Sequence, residues 1–199
     1  MAVDLKINES FHPELKKFIQ DVYELVHNHN DEDTITEGVA SLLKPRLQVE
    51  GFLNKEYLRS DPQKSADSTD YMVYIAPDGS FSILSCVWAV GQSSPVHDHC
   101  TWGVVGVLQG VEIETHYYKP IKGKEEVLKP KEVHFLQKGD VLVCCTKDDD
   151  IHDVRSGHVG EPCVGFHVYG GNINEIKRHV YDPITGKQKE WDELVIDSL

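Results

Sequence analysis

No apolar run in this 199-residue sequence approaches the length needed to cross a membrane. An excess of basic charge is also missing. Twenty lysines and arginines stand against 33 acidic residues, for a formal net charge of −13. Nucleic acid and anionic membrane surfaces call for a basic face, so neither is expected as a partner. The five cysteines, Cys86, Cys100, Cys144, Cys145 and Cys163, are odd in number and contain no Cys-x-x-Cys pair. Most lie in apolar runs, which reads as reduced core thiols of a cytosolic protein and not as a disulfide framework. The segment Met1-Ala-Val-Asp-Leu-Lys6 lacks a basic-then-apolar leader pattern, so a cytoplasmic location is expected. There are no internal repeats and no low-complexity tract.

What is present suits one domain over residues 1–199, with 40% hydrophobic and 27% charged residues. Phe11, Leu15, Phe18, Ile19, Val22, Leu25 and Val26 recur at helical spacing, predicting a helix over residues 10–30 capped by Ser10, with Pro13 in its first turn. A second helix is expected from Thr34 to Leu43, ended by Pro45. From residue 70 the pattern changes to short strands separated by Gly, Pro and Asp. The expected strands are Tyr71–Ala76, Phe81–Val90, Trp102–Leu108, Val111–Tyr118, Glu132–Leu136, Asp140–Thr146, Ile151–Arg155 and Pro162–Gly170. Gln137-Lys-Gly139 reads as a hairpin turn and Asp148-Asp-Asp150 as an acidic loop. The reading is therefore a mainly β chain: a helical N-terminal segment (1–50), an antiparallel barrel or sandwich (70–171) and a C-terminal extension (172–199).

One polar loop sits between two of the strongest strands, and it carries Pro95-Val-His97-Asp-His99. Residues i and i+2 of an extended chain share a face, so His97 and His99 can aim both imidazoles at one point, as a shared metal requires. Lone His-x-His pairs arise by chance, but Gly91 and Gly110 frame this one. A third ligand should come from a later strand. His152, in Ile151-His-Asp-Val-Arg155, is the candidate, with His116, His134, His158 and His179 also available. His12, His27 and His29 read as solvated surface. Three neutral imidazoles would leave a divalent metal its full charge and open positions. Histidine serves iron, nickel, copper and zinc alike. In Gly165-Phe-His167-Val-Tyr169, alternation puts Gly165, His167 and Tyr169 on one strand face, either as a satisfied core hydrogen bond or as a relay beside the metal. Trp102, Val104 and Phe166 are expected to keep the site dry.

The spacing Gly91, His97-x-His99, Gly110 resembles the first motif of the cupin superfamily, whose members are small jelly-roll barrels. Gly103 stands where that motif usually has a glutamate, which implies an all-histidine site. Gly139 and His152 resemble the second motif more loosely. Taken together, Pro95-Val-His97-Asp-His99, Ile151-His152-Asp-Val154, Gly165-Phe-His167-Val-Tyr169 and Tyr169-Gly-Gly-Asn-Ile-Asn-Glu-Ile-Lys-Arg178-His179 resemble the cupin-fold thiol dioxygenases, the branch holding the cysteine and bacterial 3-mercaptopropionate dioxygenases. The resemblance covers roughly residues 70–186. It implies Fe(II) on His97, His99 and His152, and a small thiol and O2 as substrates. It further implies a His167–Tyr169 relay and Arg178 as a fork for the substrate carboxylate. Two departures stand out. Gly165 replaces the family's relay serine, so the relay is expected to be shorter or completed by water. Thr101–Val104 also lacks the cysteine that the mammalian type joins to its tyrosine, which points away from the mammalian type. The sequence leaves the choice among 3-mercaptopropionate, cysteine, cysteamine and mercaptosuccinate open, and keeps as alternatives another metal-dependent cupin enzyme or a non-enzymatic ligand-binding or sensing cupin.

Overall fold

A computed structural model of the chain describes residues 3–61, 67–121, 125–146, 150–157, 160–191 and 196. The N-terminal periodicity becomes helix α1 (Pro13–Asn28) and helix α2 (Glu32–Leu43). The first is shorter than expected at both ends, and its cap is His12 in place of Ser10. The His12 Nδ1 accepts the Glu14 N–H at 3.1 Å, while Ser10 donates its own N–H to the Asn8 side chain. The second begins earlier than Thr34 because the Asp31 carboxylate caps it, accepting the Thr34 N–H at 2.9 Å. His27 and His29 lie exposed and His12 half-buried at the surface, as expected.

Ten strands follow: β1 (Thr69–Ile75), β2 (Phe81–Trp88), β3 (Gly103–Gln109), β4 (Val111–Tyr117), β5 (Pro130–Gln137), β6 (Val141–Cys145), β7 (His152–Ser156), β8 (Cys163–Gly170), β9 (His179–Tyr181) and β10 (Gln188–Glu190). The pairs are antiparallel. They build a larger sheet in the order β1-β2-β8-β3-β6, a smaller one in the order β5-β4-β7, and a β9-β10 ribbon. Leu84, Trp88 and Val107 of the larger sheet join Leu136 and Val154 of the smaller in one buried cluster. The architecture is the mainly β jelly-roll barrel with an N-terminal helical segment that pattern and resemblance implied.

The hairpin expected at Gln137-Lys-Gly139 does not form. The chain does turn there, with the Asp140 N–H donating to the Gln137 carbonyl at 2.8 Å, but β5 pairs with β4 and β6 with β3. Gly139, at φ +91°, donates to the Val107 carbonyl at 2.8 Å, and the corner moves the chain from one sheet to the other. His158, Asp148 and Asp149 lie outside the described residues.

Strands β2 and β8 are buried on both faces because the larger sheet is a middle layer. Its outer face takes the helices: Phe166 sits 5.8 Å from the Phe18 ring and 5.3 Å from the Phe52 ring, and Trp102 and Val104 belong to the same cluster. These three therefore do not face the candidate centre as expected. A period of two puts them opposite Gly103, Gly165, His167 and Tyr169, which point into the barrel. Phe166→Ala should cost about 3–5 kcal/mol in urea unfolding. Phe135→Ser, at a side chain 69% exposed on β5, should stay within about 0.5 kcal/mol.

Candidate metal centre

Residues 92–97 leave β2 through Gly91, at φ +85°, and lie down as an extra strand beside β7. His97 exchanges both backbone hydrogen bonds with His152: its N–H donates to the His152 carbonyl at 2.8 Å and its carbonyl accepts the His152 N–H at 3.0 Å. The other edge of the segment meets β9, with Tyr181 N–H to Val96 carbonyl at 2.8 Å and Asp98 N–H to His179 carbonyl at 3.0 Å. The rings of His97, His99 and His152 come together, with centroids 4.7 Å (97–99), 4.5 Å (97–152) and 5.0 Å (99–152) apart. All three are buried.

The hydrogen bonds select which nitrogens remain. His97 Nδ1 lies 2.9 Å from the Pro95 carbonyl, and His152 Nδ1 lies 3.1 Å from the Asp150 carbonyl. A carbonyl only accepts, so both rings carry their proton on Nδ1 and keep the Nε2 lone pair. His99 Nδ1 faces the Cys145 thiol at 3.2 Å and the Asp150 carboxylate at 3.5 Å. The ligand-type atoms of His99, Cys145, Asp150 and His152 lie within 4.8 Å of one another, but the Cys145 and Asp150 contacts named here are to Nδ1. We read them as partners behind the rings that hold ligands in place. Burial drives the pKa of all three histidines well below the usual value, so they are neutral.

Asp150 also holds the loop. Its Oδ2 accepts the N–H groups of His99 and Cys100 at 2.8 and 2.6 Å. Cys100 sits at φ +55°, a conformation unusual outside glycine that these bonds stabilise. Burial raises the Asp150 pKa to about 6. Asp98 turns the opposite way, accepting the His179 N–H at 2.7 Å and the Tyr181 hydroxyl at 2.7 Å. It thereby ties the segment carrying Arg178 to the loop carrying the histidine pair.

Of the described candidates for third ligand, His152 joins the pair. His116 bonds Glu114 at 3.0 Å, His134 pairs with Glu132 at 3.3 Å, and His179 pairs with Asp98 at 3.0 Å. The remaining expected residues gather at the centre. Tyr169 stacks on His99 at 4.5 Å, and His167 Nδ1 lies 2.9 Å from the Tyr169 hydroxyl. Arg178 is half-buried, its guanidinium 5.1 Å from the Trp191 ring, and Trp191 packs edge-on to His97 at 4.9 Å. Burial lowers the Arg178 pKa, while the nearby Tyr169, Asp70 and Cys86 act in the opposite sense. A cleft of about 640 Å³ lined by Pro95, Val180, Lys189 and Trp191 adjoins the centre through Trp191. Gly103, where the family pattern usually has a glutamate, has no room for a side chain: a Cβ there would lie 2.9 Å from Cys144 Sγ and 3.1 Å from Tyr169 Cε1.

Glu112, Glu114, Asp150 and Cys145 were not anticipated. Glu112 and Glu114 are fully buried. Glu114 Oε1 lies 3.8 Å from His152 Nε2, so a carboxylate does stand beside the histidine set. Alternation in Val111–Tyr117 normally sends Glu112, Glu114 and His116 to solvent. Here the barrel interior is polar and the pattern is inverted, with Val111 and Ile113 half-buried on the other face. Three neutral, buried imidazoles brought together, with a thiol and carboxylates beside them, are donor types a divalent transition metal takes, so the residues present fit such a metal.

A family model described as cysteine dioxygenase type I matches residues 54–182. Among solved structures, the chain is similar to an uncharacterised protein with a double-stranded β-helix domain from Klebsiella pneumoniae (16% identity, 73% of this chain and 100% of that one, TM-score 0.43). It is also similar to TT1209 from Thermus thermophilus (16%, 59% and 92%, TM-score 0.44) and to a cupin 2 conserved barrel domain protein from Salinispora arenicola (19%, 59% and 84%, TM-score 0.40).

His97→Ala, His99→Ala and His152→Ala should each retain less than roughly a tenth of the bound divalent metal after dialysis, measured by elemental analysis. His116→Ala should retain most of it. Equal loss in His116→Ala and His152→Ala would show that the metal is held elsewhere.

Proposed function

The chain belongs to the cysteine dioxygenase type I family, and from that premise we propose that it oxidises a small carboxylate-bearing thiol, 3-mercaptopropionate or cysteine, to its sulfinic acid with O2. The observation that carries this reading is the convergence of three neutral imidazoles with Tyr169 at one buried point, with Arg178 joined to it through Trp191. The reaction R–SH + O2 → R–SO2H balances without a further reductant, because the sulfur supplies all the electrons and both oxygen atoms end on it.

Fe(II) held by His97, His99 and His152 would supply the open coordination positions and the electron-rich centre that let a thiolate and O2 meet. The chain's own residues do the rest. Arg178, braced on Trp191, takes the substrate carboxylate in a two-pronged contact and sets the distance from carboxylate to sulfur. Tyr169, whose pKa burial raises well above the usual value, keeps its O–H and donates to substrate oxygen. His167, bonded to that hydroxyl, orients it. Trp88, 5.6 Å from the His167 ring, and Trp191 exclude water around the reacting groups. The cleft that Trp191 lines, and Arg178 stacked on that same ring, support a small anionic substrate.

The test is oxygen uptake by Fe(II)-loaded protein across 3-mercaptopropionate, cysteine and cysteamine, with the product identified. Sulfinate should form, and Arg178→Ala should raise KM for the carboxylate thiols by about tenfold or more while leaving cysteamine within about twofold. Equal effects on all three would remove Arg178 from carboxylate recognition. Oxygen use without any thiol would overturn the reaction.

A further inference from the structure

Gly165 is where this chain departs from the serine of the pattern it resembles, and the structure fills that place from another strand. Glu112 crosses the barrel from β4 in the smaller sheet to β8 in the larger. Its Oε1 lies 3.9 Å from His167 Nε2. Both atoms are buried, and neither has a hydrogen-bond partner among the described residues. The Glu112 side chain is fully buried, and its Oε2 has only a long contact at 3.8 Å from the Cys163 thiol. Two unsatisfied polar atoms facing each other in a closed interior each carry a cost that a mutual bond removes. A shift of about 1 Å brings them to hydrogen-bond length.

The space for this pair exists because residue 165 is glycine. A Cβ at Gly165 would collide with His167 Nε2 and lie 2.7 Å from Glu112 Oε2. Serine and glutamate thus compete for one volume beside His167, and this chain holds the glutamate. We propose that Glu112 is a positioning residue for the His167–Tyr169 pair: its carboxyl group engages His167 Nε2 across the barrel and fixes the ring so that the Tyr169 hydroxyl is aimed at the metal centre.

The direction of the bonds follows from the protons available. Burial, and then the neighbouring Glu114, drive the Glu112 pKa well above the usual value. Burial takes that of His167 down to about 3. A neutral acid beside a neutral imidazole donates its O–H to Nε2. The ring proton then sits on Nδ1 and is donated to the Tyr169 oxygen, and the tyrosine O–H is released toward substrate. A serine hydroxyl would impose the same order.

The activity arm of the test rests on the proposed thiol oxidation; the spectroscopic arm does not. Long-range nitrogen–proton NMR of the full chain, metal-free and zinc-loaded, should show His167 protonated on Nδ1 in the wild type. In Glu112→Leu the proton should move to Nε2, with Tyr169 donating to Nδ1. Nε2 protonation in the wild type, or an unchanged tautomer in Glu112→Leu, would overturn the proposal. In the iron-loaded enzyme, Glu112→Leu should lower kcat by roughly 10- to 100-fold with KM within about twofold. Glu112→Gln, whose amide can still donate, should stay within about threefold of wild type. Gly165→Ser should restore turnover when combined with Glu112→Ala and not when Glu112 is retained. Glu112→Gln as damaged as Glu112→Leu, both folding with wild-type Tm, would also contradict it. If the wild type oxidises no thiol, the reaction reading fails while the tautomer still decides the role of Glu112.

Discussion

The reciprocal backbone hydrogen bonds between His97 and His152 are the constraint on which the site depends. They dock the His-x-His loop as a strand against β7, and so bring together imidazoles 53 to 55 residues apart in the chain. An extended segment presents His97 and His99 side by side, and pairing in register presents His152 beside them. The Nδ1 partners, two carbonyls and the Cys145–Asp150 pair, then determine which nitrogen each ring offers. The histidine cluster is thus specified mostly by main-chain pairing, with side chains refining it.

The same segment transmits order outward. Asp98 lies between His97 and His99 yet points away from their rings, gathering the His179 N–H and the Tyr181 hydroxyl. The short β9 strand is held to the loop through it, and Arg178 immediately precedes β9. The segment carrying Arg178 and the loop carrying the histidine pair therefore share one support. The larger sheet supplies the opposite wall, with Tyr169 stacked on His99 and the outer face of the same strand anchored by Phe166 under the helices.

Much of this was legible in the residues. Helix periodicity, the β pattern, the histidine pair, His152, the His167–Tyr169 face and Arg178 all depend on local spacing or on motif context, and the structure brings them together. What escaped depends on the third dimension. The Gln137–Gly139 turn has hairpin chemistry, but the sheet partner of a strand is a long-range fact. Trp102, Val104 and Phe166 are apolar and near the motifs, yet strand parity turns them to the helices. Glu112 and Glu114 were invisible because acidic residues at alternate positions ordinarily mark a solvated face, and only a closed polar interior reverses that rule. The expectation of a shortened relay at Gly165 failed to foresee Glu112 for the same reason: the residue facing the gap comes from a strand in the other sheet.

On the function proposed above, both atoms of one O2 molecule end on the sulfur of a small thiol at this buried centre. Single turnover of the iron-loaded protein with 18O2, followed by mass analysis of the product, tests it most directly. The account predicts a sulfinate carrying label in both oxygens. A product with one labelled oxygen, or with oxygen drawn from water, or a disulfide with no oxygen incorporated, would contradict it.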